Sequence, residues 1–259
     1  MRPHKSQYWL FPKIANWEQF VIRVSLICQL IISSIKGDCK NRHLVSVDEK
    51  TGIQALERKE ALMKIGRIKR QEYEYKRNGT TTLIAAQNVS NGEMIKIHLG
   101  QTRNEHDFLK FFKQTVALFS KEDEVIFLAD QLNTHKSASL VEWIANEIGF
   151  EGDLGNKKKR KGILKSMVTR MAFLENKEHR IRFVFTPKHC SWLNPIENWF
   201  GKLQRHVITG TSFPTVQDLE RKIRSYTKYY NQCMLKPLKW KFKGFTKGKF
   251  LECSNLLET

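Results

Sequence analysis

The stretch EVIFLADQLNTHKS, residues 124–137, decides the fold. Residues 125–129 form an unbroken apolar run, Val-Ile-Phe-Leu-Ala, in which no polar residue alternates with the apolar ones. Such a run is typical of a strand that is buried on both faces of a sheet. Asp130 closes the strand, and polar residues follow it. We therefore expect an α/β protein whose central sheet is covered by helices on both faces.

Strand and helix patterns on either side of this run extend the prediction. HLVSVDEK, residues 43–50, is a short β-rich run that ends in acid. Ser90-Asn91-Gly92 separates two further β-rich runs, as in a hairpin, and strand alternation returns at residues 181–188. Apolar residues at helical spacing lie between and after these strands. The resulting order of strand, hairpin, helix, strand, helix, strand and helices predicts a mixed sheet.

Composition divides the chain into three parts. Residues 1–42 are interpreted as an arm with one helix, residues 43–235 as the main domain, and residues 236–259 as a basic aromatic tail. Within the main domain, residues 51–79 are basic and poorly periodic, which favours a long loop with partial structure. Residues 151–177 carry a basic run and a short amphipathic pattern, and we interpret them as an insertion.

The charge of the chain indicates a polyanionic partner. Lys and Arg number 45 against 26 Asp and Glu, which gives a net charge of +19. Nucleic acid is the leading candidate, and an acidic membrane surface is the second. A ribosome-binding protein, or a basic protein without such a partner, has the same composition.

Cysteine content and hydropathy bear on the compartment. The five cysteines form no closely spaced pair, which is typical of reduced thiols in a cytosolic protein and excludes a zinc ribbon. The most apolar stretch, residues 20–35, is interrupted by Arg23 and Gln29, and we interpret it as a buried helix that is too short to span a bilayer. No membrane partner is expected.

Three carboxylates lie at predicted element ends. Asp48 closes the first strand, Asp130 closes the buried strand, and Glu197 opens a helix after the last strand. Ligands of open α/β sheets gather at the carboxyl ends of strands, so these side chains are candidates for one site. Oxygen ligands suit magnesium, and two such ions can activate water and stabilise a leaving oxygen in phosphodiester cleavage.

Each acid also has a structural interpretation. An Asp at a strand end is commonly a turn residue. Asn194 can cap the helix, Pro195 suits its first position, and Glu197 follows Asn194 at capping-box spacing. Only the joint placement of the three acids favours metal binding over these roles.

Three stretches resemble the motif blocks of DDE transposases, specifically bacterial insertion-sequence transposases related to the mariner superfamily. They are VSVDEKTGIQALER (45–58), FLADQLNTHKS (127–137) and FTPKHCSWLNPIENWF (185–200). The resemblance implies a ribonuclease-H-like fold in which Asp48, Asp130 and Glu197 are the catalytic, metal-binding triad, holding Mg²⁺ or Mn²⁺ as two ions.

The same resemblance implies the reaction and the partners. It implies cleavage of double-stranded DNA at transposon ends, followed by attack of the freed 3′ hydroxyl on target DNA, typically at TA. It also implies a homodimer in the synaptic complex and a cytoplasmic location on the bacterial nucleoid.

Six further residues are candidate DNA contacts: Asn133, His135, Lys188, His189, Lys202 and Arg205. The alternatives are helix capping by Asn133, a second-shell role or plain solvation for His135, and simple exposure for the loop residues. Glu49 should point to the opposite face of the strand from Asp48, which leaves it out of the triad. Gly201, one turn after Glu197, leaves space that suits the approach of metal or DNA, although a tolerated glycine would look the same.

Two departures from the family pattern keep alternatives open. The interval between Asp130 and Glu197 is longer than usual, which matches the insertion at residues 151–177. No pair of recognition helices fits into the residues before the first strand, so we expect binding mainly through phosphates and little specificity for transposon ends. A catalytically inactive, DNA-binding remnant that interferes with full-length transposase is one alternative, and a repair nuclease or resolvase of the same fold is another.

Overall fold

The computed structural model describes residues 14–245 apart from residues 15, 39, 59–73 and 158–160. The strands in this part of the chain are β1 (Arg42–Glu57), β2 (Lys76–Asn88), β3 (Met94–Gly100), β4 (Glu124–Ala129) and β5 (Ile181–Phe185). They form one sheet in the order β3-β2-β1-β4-β5. β1 pairs antiparallel with β2 and parallel with β4, whereas the outer pairs β2–β3 and β4–β5 are antiparallel and parallel. The predicted mixed sheet of a ribonuclease-H-like fold is confirmed.

Helices cover both faces of this sheet, as predicted. The α-helices of the described residues are α1 (Trp17–Lys36), α2 (Glu105–Val116), α3 (Ala138–Glu147), α4 (Met167–Leu174), α5 (Ile196–Leu203) and α6 (Val216–Tyr229). α2, α3 and α4 pack on one face. α1 packs on the other face over β4, and α5 and α6 pack over β1 to β3.

β4 lies at the centre of the core, because the apolar run that formed it is buried on both sides. The Phe127 ring is tilted against that of Phe112 of α2 and stacked on that of Phe183 of β5, with centroids 4.4 and 5.5 Å away. Ile126 and Leu128 face the opposite core, where they pack beneath α1. The continuous apolar pattern of residues 125–129 thus places the end of β4 between two packed layers.

β1 is longer than the sequence pattern indicated. The strand predicted at residues 43–50 is confirmed but ends too early, and the loop predicted at 51–79 is wrong at residues 51–57 and 76–79. β1 continues to Glu57 and pairs with β2 as far as Glu57 opposite Lys76. The register shifts between Lys50 and Ile53. This bulge interrupts the alternation of apolar residues, which explains why the pattern failed there. Residues 59–73 lie outside the described residues.

The hairpin between β2 and β3 is confirmed. The Gly92 N–H donates to the Asn88 carbonyl at 2.8 Å, and Gly92 has a φ of 84°. A Cβ at this position would lie 2.8 Å from the backbone oxygen of Lys236, so the turn requires glycine for both conformation and space.

α1 is a long apolar helix held against the sheet. The side chain of Asn16 caps its start by accepting from the Gln19 N–H, and Gly37 ends it. By length and composition alone this 20-residue helix could cross a bilayer, so the argument that the segment is too short is wrong. Its face carrying Val24, Ile27 and Ile31 is fully buried in the core. The prediction of a buried helix is confirmed for that face.

The insertion and the tail both pack on the domain where they are described. Leu164, Phe173 and Leu174, which lie within the predicted insertion at residues 151–177, belong to the core that α2, α3 and α4 form with the sheet. Trp240 and Phe245 of the tail pack with α1, and the Phe245 ring lies 6.1 Å from that of Trp17. The arm at residues 1–13 and the end of the tail at 246–259 lie outside the described residues.

Candidate active site

The three predicted acids come from three different elements. Asp48 lies inside β1, two residues beyond Ser46, the last β1 residue that pairs with β4. The prediction that Asp48 closes its strand is therefore wrong, although it does lie where the parallel pairing stops. Asp130 directly follows β4, and Glu197 is the second residue of α5.

Burial and mutual repulsion shift the pKa of Asp48. Its side chain is almost completely buried, and this desolvation raises the pKa to about 7. The Glu49 N–H, which donates to Asp48 Oδ1 at 2.8 Å, lowers it, whereas the charges of Asp130, Glu197 and Glu49 raise it further. Asp48 therefore interacts electrostatically with both of the other acids.

Glu197 also interacts electrostatically with these acids, but it is exposed to solvent. Burial raises the pKa of its carboxyl, the charge of Lys50 lowers it, and the charge of Asp130 raises it. The residue is exposed at the start of α5. A ligand can therefore reach the Glu197 carboxylate from outside the protein.

The pKa of Asp130 is lowered because His135 lies beside it. Burial would raise the pKa of Asp130, but the hydrogen bond and charge of His135 outweigh it and lower the pKa. His135 Nδ1 lies 2.9 Å from Asp130 Oδ1. The Asp130 side chain remains 43% exposed. One face of this carboxylate is therefore fixed, and the remainder is available to a ligand.

His135 is held between two carboxylates. Its side chain is fully buried, and Nε2 lies 3.0 Å from Oε1 of Glu49. Because both ring nitrogens face carboxylates, both must carry protons, and these partners raise the pKa of His135 to about 10 against the effect of burial. The direct DNA contact predicted for His135 needs correction, since no part of the ring is accessible. Its contacts fit the second-shell alternative.

Glu49 points to the opposite face from Asp48, as strand alternation predicted. Its side chain is 2% exposed and ends at His135. Sequence reasoning placed it outside the triad but missed its contact with His135. No signal in the local sequence indicates that contact, because it joins residues 86 positions apart.

Asn194 does not cap α5, contrary to the structural interpretation of its position. Its Nδ2 instead donates to Asp48 Oδ2 at 3.1 Å and to the Val47 carbonyl at 3.0 Å. Its Oδ1 accepts from the hydroxyl of Ser46. Glu197 therefore has no capping partner in the Asn194 side chain, and its carboxylate is left for another role.

The remaining predicted contacts differ in exposure. Asn133 makes no side-chain capping bond, and it is exposed. Lys188 and His189 are exposed in the loop after β5, where His189 has a φ of 60°. Arg205 is exposed on the turn after α5, and Lys202 is half-buried with Nζ 5.2 Å from the centroid of the Tyr230 ring. These five side chains stay candidates for contact with DNA.

Two lysines near the acids were missed by sequence reasoning. Lys50 acts on the Glu197 carboxyl, and strand alternation could have found it, since it lies two residues after Asp48. Lys136 lowers the pKa of Asp130, and its Nζ lies 5.8 Å from the centroid of the Phe185 ring. A buried lysine such as Lys136 gives no sequence signal.

The donor set suits a hard divalent cation. No group of three or more His, Cys, Asp or Glu side chains within the described part of the chain is arranged to hold a single metal ion. Asp48, Asp130 and Glu197 nevertheless offer only carboxylate oxygens, the ligands that Mg²⁺ and Mn²⁺ prefer. The repulsion that raises the pKa of Asp48 is the kind that a bound cation relieves.

Known proteins match both the sequence and the fold. Residues 43–220 match the family described as DDE superfamily endonuclease, and residues 197–248 match the integrase core domain. No curated protein sequence matches the chain. The fold is similar to crystal structures of the Mos1 strand transfer complex and of the Mos1 mariner paired end complex with Mn, each with a TM-score of 0.52.

The extent of these matches sets what they show. Sequence identity to the two structures is 15% and 16%, so the likeness concerns the fold. The alignments cover 88% of this chain but only 61% and 62% of the two Mos1 chains. The family match covers more than half of the chain and includes all three acids. The chain therefore belongs to the DDE superfamily endonuclease family.

Proposed function

We propose that this protein is the catalytic part of a transposase, which cleaves double-stranded DNA at transposon ends and joins the freed end to target DNA in a metal-dependent reaction. The observation that carries the proposal is the electrostatic coupling of Asp48 to both Asp130 and Glu197 at the end of the β1–β4 pairing. Carboxylates that repel one another do not stabilise the fold. Their proximity in this strongly basic protein therefore favours a functional role.

Asp48, Asp130 and Glu197 are the residues that would hold Mg²⁺ or Mn²⁺, and the charges of the other two both act on Asp48. When bound, two such ions supply water activation and stabilisation of the leaving oxygen. The Asp48 carboxyl must lose its proton to act as a ligand, and its pKa of about 7 makes this loss easy near neutral pH. The His135 cation keeps Asp130 ionised throughout this range.

The basic residues around the acids support DNA binding. Lys188 is exposed in the loop before α5, Arg205 is exposed on the helical turn that follows α5, and Asn133 is exposed just after Asp130. Lysine and arginine side chains neutralise phosphates and release counterions, which gives affinity without reading sequence. We infer that these residues place a scissile phosphate near the three carboxylates. Action at two transposon ends favours a homodimer.

A plasmid assay tests the proposed function. Supercoiled plasmid is incubated with the protein and either Mg²⁺ or Mn²⁺, beside the variants Asp130→Ala and Glu122→Gln. Glu122 is an exposed acid before β4, at the opposite end of that strand from Asp130, so its substitution is the control for loss of a carboxylate. Nicking or joining that persists in Glu122→Gln and disappears in Asp130→Ala supports the proposal.

Other outcomes contradict it. Retardation of DNA with no cleavage under either metal indicates the inactive remnant. Cleavage that survives Asp130→Ala indicates a nuclease whose chemistry lies elsewhere.

A further inference from the structure

A buried polar network joins β1 to the start of α5 beside the acids. Ser46 is fully buried and Asn194 is 2% exposed. The Asn194 side-chain amide donates both to Asp48 Oδ2 and to the Val47 carbonyl, and its oxygen accepts from Ser46. Side chains buried to this extent are held by their hydrogen bonds, because leaving any of them unpaired is costly.

Ser46 also completes the first turn of α5. Pro195 occupies the capping position and has no side-chain acceptor, so α5 lacks a cap of its own. The N–H of Ile196 donates instead to Ser46 Oγ at 3.0 Å. A strand residue thus supplies the acceptor that a helix start normally takes from its own chain neighbours. This bond fixes the start of α5 against β1.

Asn194 is hydrogen-bonded to both of the acids at this junction. Its side chain reaches Asp48, and its main-chain carbonyl accepts the Glu197 N–H at 3.1 Å. The two acids are 149 positions apart in the sequence, yet one residue touches both. The asparagine amide donates twice through its nitrogen while its oxygen accepts from a hydroxyl, which neither an ionised aspartate nor a leucine of similar size can do.

We propose that Asn194, supported by Ser46, is a positioning residue that sets the distance and orientation of Asp48 relative to Glu197 for divalent cation binding. The inference rests on the proposed function, since it assigns a role to residues next to the same carboxylates. It goes beyond that function because it gives Asn194 a role in positioning the carboxylates. The Asn194 side chain neither caps the helix nor belongs to the triad.

The test measures Mn²⁺ affinity by titration of the whole protein, together with the Mn²⁺ dependence of nicking and the thermal midpoint. Asn194→Ala should weaken Mn²⁺ binding by about 10- to 100-fold, as loss of residues behind metal ligands commonly does. Saturating Mn²⁺ should restore much of the nicking rate. Ser46→Ala, which keeps the Asn194 contacts with Asp48 and Val47, should weaken binding in the same direction but less.

Asn231→Ala is the matched control. Asn231 also uses its amide to bridge the chain, because it accepts from the Met94 N–H and donates to the Met94 carbonyl at the start of β3. Its loss should lower the thermal midpoint and leave Mn²⁺ affinity unchanged. Affinities for Asn194→Ala and Ser46→Ala equal to that of Asn231→Ala would overturn the positioning role. A wild-type protein that neither binds Mn²⁺ nor nicks DNA would overturn the proposed function itself, and this inference with it.

Discussion

Asp48 and Asp130 are both aspartates of one cluster, yet their pKa values move in opposite directions. Burial dominates at Asp48 and raises its pKa to about 7, whereas the His135 cation holds that of Asp130 below its usual value. Environments that separate the pKa values of neighbouring carboxylates are typical of sites where those groups have different tasks. The two pKa values differ because Asp48 is buried on one face of β1, whereas Asp130 is paired with His135, which contacts Glu49 on the other face.

The raised pKa of Asp48 predicts a pH dependence of stability. Its folded-state pKa lies above the ordinary value of 3.8, so the folded protein binds more protons than the unfolded chain between about pH 4 and pH 7. The contribution of Asp48 to the free energy of unfolding therefore falls as pH rises through this window. In urea unfolding, the metal-free wild type should therefore lose stability relative to Asp48→Asn as pH rises from about 4 to 7, by on the order of a few kcal/mol.

Divalent cation provides the control for that measurement. Saturating Mn²⁺ offsets the negative charge around Asp48, so the decline with pH should diminish in the wild type. A difference between the two proteins that stays constant from about pH 4 to pH 7 would contradict the assigned pKa.

The buried ion pair of His135 gives a second prediction. His135→Gln leaves the Glu49 carboxylate buried without a cation, which should cost about 3–5 kcal/mol in the free energy of unfolding. Glu49→Gln should cost less than that, and the double variant much less than the sum, since no buried charge remains. A double-mutant cycle from urea unfolding measures the coupling. Additive costs would show that the two residues do not act as a pair.

At the level of elements, the sequence predicted best where one periodicity runs without interruption. The apolar run of β4 and the Asn-Gly turn between β2 and β3 both have local causes, namely burial on both faces and a required positive φ. The predicted first strand ended too early because the register shift after Lys50 breaks the alternation of apolar and polar residues in β1. Local patterns reveal elements, whereas bulges are set by the partner strand.

The candidate site shows the same division. Asp48, Asp130 and Glu197 became candidates through their places at predicted element ends and through their order along the chain, which matches a family pattern. The partners Glu49, His135 and Asn194 could not be assigned from sequence, because each contact joins elements that only the folded sheet brings together. An asparagine before a helix signals capping, and only tertiary structure redirects it to β1.

Gly201 allows a prediction about α5. A Cβ at this position would meet no heavy atom within 4 Å, so packing does not require glycine there. Gly201→Ala should raise the free energy of unfolding by about 0.5–1 kcal/mol, because alanine favours the helix interior. It lies one turn from Glu197, so we expect the added methyl group to hinder DNA and slow nicking.

Thermal unfolding and the plasmid assay together decide this point. Higher stability with slower nicking would assign the open space beside Glu197 to the substrate. Unchanged nicking would show that DNA does not approach Gly201.

On the scale of the whole molecule, an excess of positive charge surrounds a small group of acids. The net charge of +19 favours the binding of any polyanion to the protein. The negative charges of Asp48, Asp130 and Glu197 disfavour the approach of a phosphate to these three residues unless cations are bound there. Affinity for DNA and readiness for cleavage are therefore separate properties. DNA binding without metal should remain, and it should depend on basic residues near the site.

Arg205 tests this separation. Arg205 is exposed on the turn after α5, and its charge lowers the pKa of Lys202. The two residues therefore belong to one basic surface around α5. Arg205→Ala should weaken binding to a fluorescent duplex and reduce the slope of log affinity against log salt by about 1, with no preference among DNA sequences. Lys121→Ala removes an exposed charge from the turn before β4, at the opposite end of that strand from Asp130, and should leave the slope unchanged. Equal effects of the two substitutions would mean that DNA is attracted by the overall charge alone. The proposal that the surface around α5 binds the scissile strand would then be contradicted.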